Sequence, residues 1–137
     1  MHIKGFLFAF ERWARAQTDI EGVSLVGSHA RGTATEESDV DLLILTTKRE
    51  RYFLDQTWVA LFGEIERSQV EDWGKVESLR IHYRNGLEVE YGFATPEWAR
   101  SPIDKGTLRV VADGMTILYD PNGLLSRVQR QTKPEAC

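Results

Sequence analysis

The stretch Val23-Ser24-Leu25-Val26-Gly27-Ser28-His29-Ala30-Arg31-Gly32, followed by Ser38-Asp39-Val40-Asp41-Leu42-Leu43-Ile44-Leu45, decides how this chain is read. Val23 to Val26 is a short apolar run ending on Gly27-Ser28, which puts a glycine and a serine at the carboxyl end of a strand. His29-Ala30-Arg31 reads as the first turn of a short helix with Ser28 as its N-cap, closed by Gly32 and the polar residues that follow. Val40 to Leu45 is too apolar to face water along most of its length, as expected of a central strand.

Strand side chains alternate between faces, so Asp39 and Asp41 are expected on one face, about 6.6–7 Å apart along the strand. Two carboxylates so placed repel. Keeping both ionised at the start of an apolar strand is costly unless a cation sits between them, and Mg²⁺ takes oxygen ligands of this kind. Upstream, the missing side chain of Gly27 lets a phosphate approach the backbone, and the N-terminus of the following helix offers unpaired N–H groups. If the strands of Val26 and Asp41 are neighbours, phosphate loop and carboxylates face one crevice, with Arg31 adding a charge-assisted bond to a phosphate. Taken singly, a Gly-Ser at a strand end is a turn and cap, an Asp-x-Asp a solvated strand entry, and Arg31 a solvated helix residue. The combination in this order is what points to a nucleotide.

Outward from this centre, Phe6, Phe10, Trp13 and Ala14 share one face of an N-terminal helix, with Glu11, Arg12 and Arg15 opposite. Tyr52 to Phe62 carries helical spacing that stops at Gly63, and Glu64 to Lys75 has no clear pattern. Glu77 to Tyr83 and Leu87 to Phe93 flank Arg84-Asn85-Gly86, a strong hairpin signal. Pro96 to Arg100 starts a helical turn, Thr107–Ala112 and Met115–Tyr119 read as two short strands around Asp113-Gly114, and Leu124 to Gln131 is a closing helix. The expected fold class is α/β (α+β), a mixed β-sheet of about five strands flanked by helices. Residues 1–132 form one domain and Lys133 to Cys137 a frayed tail.

The 137 residues suffice for one core, and 42% apolar with 28% charged content is that of an ordinary globular protein. The net charge of −4, with Lys and Arg scattered, lacks the footprint of a protein that binds long nucleic acid. Cys137 is the single cysteine, so no internal disulfide forms and a reduced cytoplasm is the expected location. Glu11, Arg12 and Arg15 interrupt the N-terminal apolar stretch before membrane-spanning or signal-peptide length. His29 and His82 read as surface or hydrogen-bonded histidines, and the dispersed Trp13, Trp58, Trp73 and Trp98 as packing residues.

Gly27-Ser28-His29-Ala30-Arg31-Gly32 with Ser38-Asp39-Val40-Asp41-Leu42 resembles the signature of the DNA polymerase β-like nucleotidyltransferase superfamily. With ten residues between Ser28 and Asp39, the chain is most similar to the minimal nucleotidyltransferases, over Val23 to about Ala94. The resemblance implies transfer of an NMP, AMP above all, from a Mg-bound NTP such as ATP to a hydroxyl. Two Mg²⁺ ions would serve catalysis, with Gly27, Ser28 and Arg31 on the phosphates. It also implies a third carboxylate beside Asp39 and Asp41. Glu88 and Glu90 both qualify, two apart on one strand face, and Glu90 is favoured because it lies further from the exposed turn. Larger members carry an additional domain for which this chain has no room, so the acceptor is expected to be recognised largely from outside. Small members include antitoxins that adenylylate a HEPN-type toxin, which makes a protein acceptor the first expectation. A homodimer modifying a small molecule such as an aminoglycoside is the alternative. A non-catalytic nucleotide- or partner-binding module is the other, and the retained carboxylates argue against it.

Overall fold

In the computed structural model, residues 3–35, 38–72, 74–100, 105–112 and 114–132 are described. The apolar run after Asp39 forms β2 (Val40–Thr46), a strand buried on both faces. The run before Gly27 forms β1 (Ile20–Val26). The two pair antiparallel, with Val26 opposite Asp41, so the Gly27 loop does stand beside the aspartates. The hairpin comprises β4 (Glu77–Tyr83) and β5 (Glu88–Ala94), and its register places Arg80 opposite Glu90 and His82 opposite Glu88. β5 runs parallel to β2 with Asp41 opposite Glu90. With β3 (Ile65–Asp72) and β6 (Met115–Tyr119) the sheet has six strands in the order β3-β4-β5-β2-β1-β6.

Alternation along β2 and β5 divides the sheet into two faces. Val40, Leu42 and Ile44 of β2, with Val89, Tyr91 and Phe93 of β5, enter one cluster. It is covered by Phe6, Phe10 and Ala14 of α1 (Ile3–Arg15), Tyr52 of α3 (Glu50–Leu54) and the 3-10 turn Thr57–Phe62, the short helix α2 (Ser28–Arg31) lying between β1 and β2. Trp13 stacks on Trp58 at 5.1 Å between ring centres within this layer. On the other face Leu43, Leu45 and Ala94 pack with Trp98 and Ala99 of the 3-10 turn Pro96–Ala99, Val111 of α4 (Lys105–Ala112) and Leu125 and Val128 of α5 (Leu124–Thr132). That layer covers only part of its face. The uncovered part carries Asp41 and Glu90.

At the opposite end of β2, buried Asp19 accepts hydrogen bonds from Thr46 Oγ1 (2.6 Å), Tyr52 OH (2.6 Å) and Arg51 Nη1 (2.7 Å). Burial alone would raise its pKa, but the Thr46 and Tyr52 hydroxyls, a backbone hydrogen bond and the Arg51 charge outweigh that and hold it below the ordinary carboxylate range.

Four local readings need correction. Thr107–Ala112 is helical, not a strand; its β-branched residues suit an extended chain in isolation, but Val111 gains burial against the α5 layer. Ser28 is the first residue of α2 and not its N-cap. Gly27 holds the cap position without a side-chain bond. The Tyr52–Phe62 segment is α3 and a 3-10 turn, broken where Asp55 turns extended and caps Thr57. The unassigned Glu64–Lys75 region contains β3, an edge strand whose residues are mostly exposed. Trp73 and the proposed frayed segment 133–137 lie outside the described residues. No helix among the described residues is long and apolar enough to cross a membrane.

Candidate active site

The site lies where β1 ends and β2 and β5 begin. Gly27 has φ 75° and ψ −154°, a backbone conformation reserved for glycine. The turn brings the Asp41 carboxylate so close that a Cβ on Gly27 would overlap its Oδ2 and lie 3.2 Å from its Cγ. Gly27 is therefore doubly required, by its own dihedrals and by the carboxylate packed on it. Gly27 O accepts from the N–H groups of Ala30 and Arg31, which closes α2.

Asp39, Asp41 and Glu90 each present an oxygen such that all three lie within 4.8 Å of one another. Cross-strand register explains this: Asp41 and Glu90 are parallel-strand partners, and Asp39 precedes Asp41 by two residues. Glu88 is not in this group. It accepts from Arg80 Nη1 at 2.6 Å and lies 3.1 Å from His82 Nδ1, nearer the hairpin turn. The pKa of Asp41 is pushed up to about 8, by burial first and then by Glu90 and Asp39. Its Oδ1 is buried without a hydrogen-bond partner. A buried carboxylate oxygen with no donor, facing two further carboxylates, fits a hard divalent cation. The residues present therefore suit the metal that the sequence implies.

Two open hollows lie nearby, and one of them takes in Asp41 and Glu90. One, of about 340 Å³, is floored by Asp41, Glu90 and Gly92 and walled by Arg31, Val76 and Trp98. The other, about 890 Å³, is lined by Ser38, Glu88, His29, Asn85 and Leu87 and by none of the three converging carboxylates. Gly27 and Arg31 thus border the smaller hollow, with the Arg31 stem resting against Gly114. Ser28 begins α2 beside them.

Sequence reasoning missed Arg80. Its guanidinium donates from Nη1 to Asp39 Oδ2 (2.9 Å) and from Nε to Glu71 Oε1 (2.9 Å), besides Glu88, and lies 3.3 Å from Glu90 Oε1. Burial would lower its pKa, but the carboxylates around it raise it further, so its charge is permanent. The signal was present in the hairpin: the Asn85-Gly86 turn sets a register that pairs Arg80 with Glu90.

Residues 10–98 match the sequence model of a family described as "Nucleotidyltransferase domain". No curated protein sequence matches significantly. Among solved structures, the chain is similar in fold to an aminoglycoside 6-adenyltransferase from Bacillus subtilis, with TM-score 0.54 and 18% identity over 69% of this chain and 35% of that one. It is also similar to a nucleotidyltransferase-like protein from Exiguobacterium sibiricum 255-15, with TM-score 0.50 and 18% identity over 98% of this chain and 40% of that one. The chain thus spans well under half the length of these structural neighbours.

Proposed function

The chain belongs to the nucleotidyltransferase-domain family, and on that premise we propose that it transfers an NMP, AMP from ATP in the first instance, to a hydroxyl acceptor. The observation that carries this reading is the convergence of Asp39, Asp41 and Glu90 within 4.8 Å of one another beside the Gly27-Ser28 turn. These three carboxylates would hold Mg²⁺, which when bound neutralises phosphate charge and polarises the reacting phosphoryl oxygen. Asp41 binds such an ion only after losing the proton that its surroundings favour, so loading releases a proton. Gly27 and Ser28 receive the β and γ phosphates at the start of α2, with Arg31 at the wall of the same hollow. In the transfer the acceptor oxygen bonds to the α-phosphorus, the bond from that phosphorus to the β-bridging oxygen breaks, and pyrophosphate leaves with the electron pair. The acceptor's proton goes to a site carboxylate, and we assign Glu90, which floors the smaller hollow.

The hollow that takes in Asp41 and Glu90 is an open cleft, which suits a hydroxyl presented by a second macromolecule. A partner protein is therefore the acceptor we favour, a HEPN-type toxin being the specific form that the sequence resemblance implies. The test is incubation with α-labelled NTPs, Mg²⁺ and cell lysate. Label on a protein band that disappears with Asp39→Ala/Asp41→Ala supports this acceptor; label confined to the small-molecule fraction overturns it in favour of a small hydroxylated substrate.

A further inference from the structure

Five carboxylates, Asp39, Asp41, Glu71, Glu88 and Glu90, crowd one sheet face around the Arg80 guanidinium. Arg80 bonds or pairs with all of them except Asp41, and its side chain is only 21% exposed. An arginine fork has five N–H donors in fixed geometry, so it can hold several carboxylates at once where an ammonium would hold them loosely. Two of its partners are proposed metal ligands. The other two, Glu71 on β3 and Glu88 on β5, lie outside the three-carboxylate group and tether the guanidinium from either side.

We propose that Arg80 is a built-in counter-ion of the carboxylate site, a positioning residue that keeps Asp39 and Glu90 converged without metal and weakens the site's hold on a divalent cation. This rests on the metal-site reading above. The two effects of Arg80 on metal binding oppose each other. Removing it loosens the ligands, which weakens binding; removing its charge also deletes a repulsion between a fixed cation and an incoming divalent one. Arg80 touches Asp39 and Glu90 directly, so its charge would stand one carboxylate away from the ion, and screened repulsion at that separation corresponds to roughly a tenfold change in affinity, which sets the expected sign. The consequence for function is timing. A site that binds the bare ion weakly fills when the nucleotide's phosphates bring further negative charge.

The probe is Mn²⁺ alone, its free concentration followed by electron paramagnetic resonance, with wild type, Arg80→Gln and Arg80→Lys. Arg80→Gln is expected to bind Mn²⁺ roughly tenfold more tightly than wild type. Its metal-free melting temperature is expected to fall and to rise more on Mn²⁺ addition than that of wild type. Arg80→Lys, which keeps the charge and loses the fork, is expected to keep near-wild-type affinity with a lowered metal-free melting temperature. Unchanged or weaker Mn²⁺ binding by Arg80→Gln, with wild type binding normally, overturns the role of Arg80 and leaves the metal site standing. No binding by either protein overturns both. If Arg80→Gln does not fold, NMR of the wild type decides, with Arg80→Lys used only for assignment: the Arg80 Nε–H resonance must shift on Mg²⁺ addition, and a stationary signal refutes the inference.

Discussion

Replacing Gly27 with alanine loads strain onto the point where the phosphate turn and the carboxylate site meet. The dihedrals φ 75° and ψ −154° lie in a region used almost only by glycine, and a side chain held there costs about 1–3 kcal/mol. The added Cβ also overlaps Asp41 Oδ2, so either the turn or the carboxylate must move. Gly32→Ala is the internal control. Gly32 has φ 75° and ψ 18°, a left-handed position with nothing within 4 Å of an added Cβ, so only the backbone penalty applies, about 1–2 kcal/mol. Urea denaturation is expected to show Gly27→Ala destabilised by about 3 kcal/mol, well beyond Gly32→Ala, with the slope unchanged. Mn²⁺ binding is expected to be lost in Gly27→Ala and kept in Gly32→Ala. If Gly27→Ala is no less stable than Gly32→Ala and binds Mn²⁺ as wild type does, the coupling of turn to carboxylate is wrong.

Metal-free wild type carries Asp41 with a pKa raised from 3.8 to about 8, so the folded state holds that proton more tightly than the unfolded chain. The resulting stabilisation is complete below about pH 4 and is lost as the pH rises through 8; Asp41→Asn is expected to remove this dependence, seen as a difference in urea midpoints between pH 6 and 9. Asp19 has the opposite sign: its lowered pKa contributes stability above the unfolded value of 3.8 that is lost as the pH falls through its folded value. Asp19→Asn should cost about 1–3 kcal/mol at pH 7, with the gap to wild type closing in acid. In transfer assays Glu90→Gln is expected to abolish labelling while Glu88→Gln largely keeps it, and the reverse result would reassign the third carboxylate.

The part of the fold that carries the site was legible because each signal there is local. The apolar runs before Gly27 and after Asp39 are buried on both sides, and Asn85-Gly86 sets the hairpin register of β4 and β5, whereas the parallel pairing of β5 with β2 that puts Glu90 opposite Asp41 is a long-range contact. β3 was not legible, because an edge strand reading Glu66-Arg67-Ser68-Gln69 buries too little for alternation to show. The helix Lys105–Ala112 was misread because its β-branched content is overruled by packing at Val111. Ser28 lost the cap position to Gly27 because only glycine fits the turn that the Asp41 carboxylate imposes. Arg80 reads as an ordinary strand residue until its opposite number on β5 is known.

The most direct measurement uses ATP labelled at either the α or the γ phosphate, with Mg²⁺ and cell lysate, comparing wild type with Asp41→Asn. The expected result is α label on the acceptor, γ label released as pyrophosphate, and neither event with Asp41→Asn. Transfer of γ label to the acceptor, or α transfer that survives Asp41→Asn, would contradict nucleotidyl transfer at this carboxylate site.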